Sequence, residues 1–274
     1  MSDVPIKPAP AMQNAAVRSR EPETFRAKTG YRIAPAAVVT DTIGDIGKVV
    51  LATGPFDPAT TTREFSVLIS DAEAEVIVPP LLRRLRAASP SARLRVDAPT
   101  NVMHHGLHDE LRRHDLIVLP SAAIPEHLPS SLLDTDEWAC IVAADDDLEA
   151  GETVEQLRDR DWAVCWDLID APWTPGRLLE KAGFSDRLVV RTEGFLELFS
   201  IVTAAGLTAL VPARLGEIKG PSHGIRTIPA PRDLAPPFGI SAAWSPLFEL
   251  DPAHQWFRAH VLEAARLEDG LLDA

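Results

Sequence analysis

The chain has 274 residues, 46% hydrophobic and 24% charged, enough for one large domain or two modest ones around a sizeable core. A formal net charge of −13 excludes a protein that coats nucleic acid over its whole surface. The first residues lack a charged-then-apolar leader pattern, and the most apolar segment, "LFSIVTAAGLTALVPA", is short for a membrane span and broken by Gly206 and Pro212, so a cytoplasmic protein is expected.

The charge is unevenly placed. Residues 1–35 carry Lys7, Arg18, Arg20, Arg26, Lys28 and Arg32 against Asp3, Glu21 and Glu23, a balance of +3 that leaves −16 for the rest. A basic head on an acidic body has the polarity of a protein whose head alone approaches phosphate; a solvated tail has the same composition. Residues 35–52 place Val38, Val39, Ile43, Ile46, Val49 and Val50 near helical spacing, which predicts an amphipathic helix weakened by Gly44 and Gly47. "TGPFDPATTTR" follows as a linker.

From Glu64 the rhythm becomes that of an α/β fold. "EFSVLIS" predicts a strand, and Ser70 and Asp71 are helix-capping types ahead of a stripe at Val78, Leu81, Leu82 and Leu85. Pro79 and Pro80 should kink this helix or mark its true start. Strand "ARLRVDA", helix "VMHHGLHDELRRH" and strand "DLIVLPS" complete a βαβαβ unit, the pattern of a parallel sheet with crossover helices. A second set comprises strand "EWACIVAA", a helix near "TVEQLRD", strand "WAVCWD", helix "TPGRLLEKAGF", strand "RLVVRT", helix "GFLELFSIVTAAG" and strand "LTALVPA". The proline-rich "IRTIPAPRDLAPP" reads as a connection, "FGISAAWSP" as extended, and "PAHQWFRAHVLEAARL" as a closing helix with Pro252 in its first turn. Two linked α/β units should bind a ligand in the cleft between them. Cys140 and Cys165 sit in apolar runs and read as strand residues of a reducing compartment.

The segments "FDPATTTREFSVLISD", "PPLLRRLRAASPSARLRV", "HDLIVLPS", "LTALVPARL" and "APPFGISAAWSPLFELDPAHQWFRAHV" carry a resemblance. In order and spacing the chain resembles the LysR-type transcriptional regulators, in the subgroup containing NodD and NahR. The resemblance covers residues 26–266 and implies an effector-binding domain of periplasmic-binding-protein type over residues 64–270. It implies one subdomain of residues 64–119 plus 241–270 and another of residues 120–240. Residues 36–60 would be the linker helix and hinge, and residues 1–35 the remnant of a winged helix-turn-helix. The family's first helix and scaffold helix have no counterpart before Pro8, and Pro22 interrupts the usual helix-to-wing run, so the truncated head is expected to impair DNA binding. If the remnant docks in a groove, Gln13, Asn14 and Arg18 make the contacts, with Lys28 and Tyr31 near phosphates.

Within this frame, Ser70 and Asp71 close the first strand at a helix N-terminus facing the cleft, where backbone N–H groups and a hydroxyl receive an anionic or polar effector; helix capping alone also accounts for both. Leu119, Pro120 and Ser121 are the expected crossing between subdomains, with "AAWS" as the return, which makes Ser121 and Trp244 cleft candidates; Trp244 has a core reading as well. Asp167, Glu193 and Phe195 are the candidates from the second subdomain. An acidic pair there disfavours a carboxylate effector unless its polar end sits near Ser70. His104 and His108 have a zinc-chelating spacing but no evident third ligand, and a plain helix face is the reading taken, so no metal and no cofactor are expected. No glycine-rich phosphate loop, nucleophile elbow or Cys–His arrangement points to an enzyme.

The expected function is therefore a transcriptional regulator that senses a small-molecule effector, an aromatic or other small organic compound, acts on promoter DNA and forms a dimer or tetramer. The alternative is a ligand-binding or dominant-negative partner of full-length relatives that does not touch DNA. An enzyme on the same scaffold is the third reading.

Overall fold

The computed structural model describes residues 56–99, 106–151, 153–165 and 173–266. The linker helix, the winged helix-turn-helix remnant and its candidate contacts Gln13, Asn14, Arg18, Lys28 and Tyr31 lie outside these residues, as do His104 and Asp167. Two five-stranded mixed sheets make up the described part.

The first lobe begins as the hydrophobic pattern dictates. Strand β1 (Glu64–Leu68) leads through the N-cap Ser70 into helix α1 (Asp71–Ala88), and β2 (Arg93–Asp97) follows. After helix α2 (Leu107–Arg113) comes β3 (Leu116–Pro120), then β4 (Ser130–Asp136). These strands and the late β10 (Phe238–Ala243) form a sheet in the order β2-β1-β3-β10-β4. The pairs β1–β2 and β1–β3 are parallel, and β10 runs antiparallel to both β3 and β4. Phe65 and Val67 enter one core with Ile77, Leu81, Leu85 and Phe257, whereas Leu68 enters another with Leu111, Ile117 and Leu119. Both sheet faces are therefore covered, as a parallel sheet requires.

Helix α1 runs through Pro79 and Pro80 instead of starting or breaking there. Each internal proline costs about 3 kcal/mol. Burial of Ile77, Leu81 and Leu85 offsets this, at about 1.5–3 kcal/mol per fully buried side chain. Helix α6 (Pro252–Ala265), N-capped by Asp251, shares that core through Phe257, Val261 and Ala264.

The second lobe contains β5 (Trp138–Ala143), β6 (Trp162–Cys165), helix α3 (Pro175–Lys181), β7 (Leu188–Thr192), helix α4 (Leu196–Ala205), β8 (Thr208–Pro212), helix α5 (Ala213–Lys219) and β9 (Ile225–Pro229). Its sheet order is β7-β6-β8-β5-β9. Gly206 ends α4 in the left-handed region at φ 63°, a conformation L side chains rarely adopt. The helix expected near "TVEQLRD" is a single 3-10 turn at Val154–Leu157. Cys140 and Cys165 are buried free thiols on β5 and β6.

The crossings lie elsewhere than expected. β4 pairs with β10 from Ser130↔Ala243 to Asp136↔Phe238, so residues 121–136 stay with the first sheet and the chain crosses at Glu137. It returns through residues 230–237, before β10, so Leu119–Ser121 and "AAWS" both belong to the first lobe. "SSLLDTD" was unreadable as a strand because its side chains are largely polar; the distant β10 supplies its ladder partner.

Burial pushes the Asp136 carboxyl up to about 6, against the Glu137 amide and the Arg214 charge, at the first crossing. A folded-state value above the ordinary 3.8 means that the folded protein binds the extra proton between about 6 and 3.8. This group's stability contribution is complete below 3.8 and is lost as pH rises through about 6. Asp136→Asn should therefore stabilise the protein at pH 7.5 by roughly 1–3 kcal/mol, seen as a higher melting temperature, with the gain shrinking through pH 4.5 and gone once the pH is well below 3.8. Paired thermal scans across that range test this; an equal gain at both pH values would show that Asp136 is not the titrating group.

Candidate effector cleft

A cavity of ≈ 880 Å³ opens between the sheets, at the carboxyl ends of the parallel strands. Open α/β sheets place their ligand crevices at this edge, and the volume is in the range of a drug-sized ligand. From the first lobe come Ser70, Asp71 and Glu73 after β1, Pro99 after β2, and Leu119 to Ala122 at and just past the end of β3. Cys165, Trp173, Leu178, Lys181, Glu193 and Phe195 face them from the second lobe, and Trp138 and Phe238 stand where the two crossings meet the sheets.

The aromatic wall is built by those crossings. Trp138 packs on Phe238 with ring centroids 4.6 Å apart and tilted by 32°, and lies 6.4 Å from Phe195. Offset and tilted rings are the preferred aromatic geometry, and they offer a ligand a flat apolar surface.

Polar groups on the floor are already engaged with one another. The Ser70 hydroxyl donates to the Glu73 carboxylate and accepts from the Glu73 amide at 3.4 Å. Asp71 reaches across the cleft: its Oδ2 accepts from the Phe195 amide at 2.7 Å and the Leu196 amide at 2.9 Å, the first amides of α4. Its Oδ1 accepts from its own helix at Ala72, 2.9 Å away. Burial raises the Asp71 carboxyl, while these amides pull the other way. Gly194 permits the approach, because a Cβ there would lie 2.7 Å from Asp71 Oδ2. Lys219 Nζ also crosses, 2.5 Å from Glu75, and Arg214 pairs with Asp134. On the opposite wall Ser121 Oγ and Ser241 Oγ share a hydrogen bond of 2.7 Å.

Of the residues singled out from sequence, Ser70, Asp71, Ser121, Glu193 and Phe195 line the cavity, and Asp167 falls outside the described residues. Trp244 does not line it. Its ring belongs to the first-lobe core, its indole N–H donates to Glu249 at 2.7 Å, and the Arg258 guanidinium lies 4.3 Å from the ring centroid. The misplaced return crossing explains the error. Sequence reasoning missed Trp138, Trp173, Phe238, Glu73 and Lys181; only the aromatic at each crossing was findable, once the crossings were known. His108 lies on α2 and His104 outside the described residues, and no group of three or more potential metal ligands occurs among the described residues.

The family model for the LysR substrate binding domain matches residues 59–266. A Nodulation protein D 2 of Rhizobium leguminosarum bv. phaseoli is 24% identical over 234 residues, spanning 84% of this chain and 72% of that protein. A Nodulation protein D 1 of Rhizobium tropici is 25% identical over 224 residues, 80% and 71% of the respective chains. Among solved structures, a probable transcriptional regulator from Pseudomonas aeruginosa superposes with TM-score 0.70 at 21% identity, covering 82% of this chain and 76% of that one. The regulatory domain of MexT, a transcriptional activator in the same organism, gives TM-score 0.58 at 23% identity over 75% of this chain and 100% of that one. These structural likenesses are of fold.

Proposed function

The chain belongs to the LysR substrate-binding-domain family, and from that membership we propose that it is a transcriptional regulator whose ligand is a small organic effector held in the interlobe cleft. The observation that carries this reading is the ≈ 880 Å³ cavity, walled by aromatic rings from both crossings and bounded by both lobes. A ligand touching both lobes binds the closed arrangement better than an open one, and that difference is what shifts the population between them. The probable transcriptional regulator and the transcriptional activator among the fold neighbours support promoter DNA as the readout. In this reading Gln13, Asn14, Arg18, Lys28 and Tyr31 are the DNA contacts, and copies of the chain associate. Cytoplasmic placement belongs to the same reading. No helix among the described residues is long and apolar enough to cross a membrane.

A thermal-shift screen of small organic compounds with the full chain tests the reading. Compounds that raise the melting temperature should lose at least tenfold in affinity in Trp138→Ala, because truncating one large aromatic contact removes more than about 1.4 kcal/mol. Hits that bind Trp138→Ala and the parent equally well would place their site elsewhere. Mobility shifts of upstream DNA at low salt, with and without such a hit, test the readout.

A further inference from the structure

We propose that the effector is an organic cation, an amine or amidine carried on an apolar, ring-bearing body; this rests on reading the cavity as the effector site. Two features of the cleft lead there.

The first is that its anion-binding equipment is occupied by the protein itself. Helix N-termini facing a crevice are the natural receptors for a carboxylate or phosphate, since their free amides and the helix dipole both favour negative charge. Among the described residues, the ends of α1 and α4 line the cleft. At α1 the Ser70 hydroxyl is held by Glu73. At α4 the Phe195 and Leu196 amides are held by the Asp71 carboxylate. An anionic effector would have to displace a tethered carboxylate from either end and then share the cleft with it, so like-charge repulsion replaces attraction.

The second is the balance of the walls. Asp71, Glu73, Glu193, Glu197 and Asp233 line the cavity, while Lys181 is the one cation among the described residues that do. Glu193, Glu197 and Asp233 are exposed residues, placed to meet an entering charge rather than to hold a buried one. The same cavity is lined by the aromatic wall of Trp138, Phe195 and Phe238, and ring faces attract cations. An apolar body stacked on this wall with its cationic end toward the acids satisfies both halves of the lining. A neutral ligand uses only the rings.

The test uses the full chain and three fluorescent probes with one body: 1-pyrenebutylamine, 1-pyrenebutanol and 1-pyrenebutyrate. The amine should bind at least about tenfold more tightly than the alcohol, and the butyrate at least about tenfold more weakly. In the triple variant Glu193→Gln/Glu197→Gln/Asp233→Asn the ratio of amine to alcohol affinity should fall towards one. The advantage in the parent should also shrink in 1 M salt. If the alcohol equals or beats the amine, if the butyrate binds best, or if the triple variant keeps the full preference, the cation assignment is overturned while the cleft remains a binding site. If none of the three binds, the effector-site reading falls with it.

Discussion

Arg63→Met should unfold at a melting temperature roughly 6–12 °C below the parent, the largest loss expected from any single polar substitution in the first lobe. Arg63 is a fork between three starting points: it opens the chain into β1, donates to Asp115 at the head of β3 at 2.8 Å, and donates to Asp251 at the head of α6 at 2.8 Å. Both carboxylates are buried, with side chains 10% and 2% exposed. Their remaining lone pairs are committed as well. Asp115 accepts from the Ser66 amide and hydroxyl, its carbonyl receives His254 Nε2 at 2.7 Å, and Asp251 caps α6 through the Ala253 amide. Removing the cation leaves two buried charges without their counter-ion, a defect worth about 3–5 kcal/mol. Arg63→Lys keeps the charge but cannot reach both acids with a planar fork, so it should lie between. A loss below 1 kcal/mol would show that solvent, not Arg63, supports the two acids.

The pH dependence of this defect has a definite sign. Burial alone would raise Asp251, but the hydrogen bond and charge of Arg63, with the His254 and Ala253 amides, hold it below the ordinary 3.8. A depressed carboxyl contributes stability that is present above its unfolded value and lost as pH falls through the folded one. The gap between parent and Arg63→Met should therefore be widest at neutral pH and narrow in acid, where Asp251 protonates. His254 adds acid sensitivity to both proteins: burial pushes its imidazole down to about 4, so its contribution is present above 6.5 and lost as pH falls to about 4.

What could be read beforehand divides along a physical line. β1, β3, β5 and β8 are runs of apolar β-formers whose burial is dictated locally, and α1 and α6 announce themselves by caps and stripes. β4 and β9 do not. "SSLLDTD" is strand because β10, more than a hundred residues on, offers a ladder edge, and "IRTIP" pairs with β5 up to the proline that ends it. Misplacing β4 misplaced the crossings, and so sent Trp244 to the cleft in place of Trp138 and Phe238. Ser70, Asp71, Glu193 and Phe195 were legible because they follow strand ends, which topology alone aims at the crevice. That Asp71 would be spent on α4, by contrast, depends on how closely the lobes approach, and no local pattern encodes a distance between residues 124 positions apart.

That contact supports the second large effect. Asp71→Ala should lower the ratio of closed to open lobes by roughly a hundredfold, because each of its two interlobe bonds joins a charged acceptor to an amide and such bonds contribute about 1.5–3 kcal/mol. The measurement is the distance between spin labels on cysteines introduced one on each lobe, at the exposed sites Arg86 of α1 and Glu217 of α5, compared between parent and variant by pulsed electron resonance. A purely local role for Asp71 predicts something else: lower stability through the lost Ala72 contact, with lobe separation unchanged. Gly194→Val separates the two cases, since it leaves α1 intact and places carbon 2.7 Å from Asp71 Oδ2 and 2.8 Å from Glu197 Oε2. Opening in both variants identifies Asp71 as the bond that sets the resting closure. Opening in neither would mean that Lys219–Glu75 and Arg214–Asp134 hold the lobes without it.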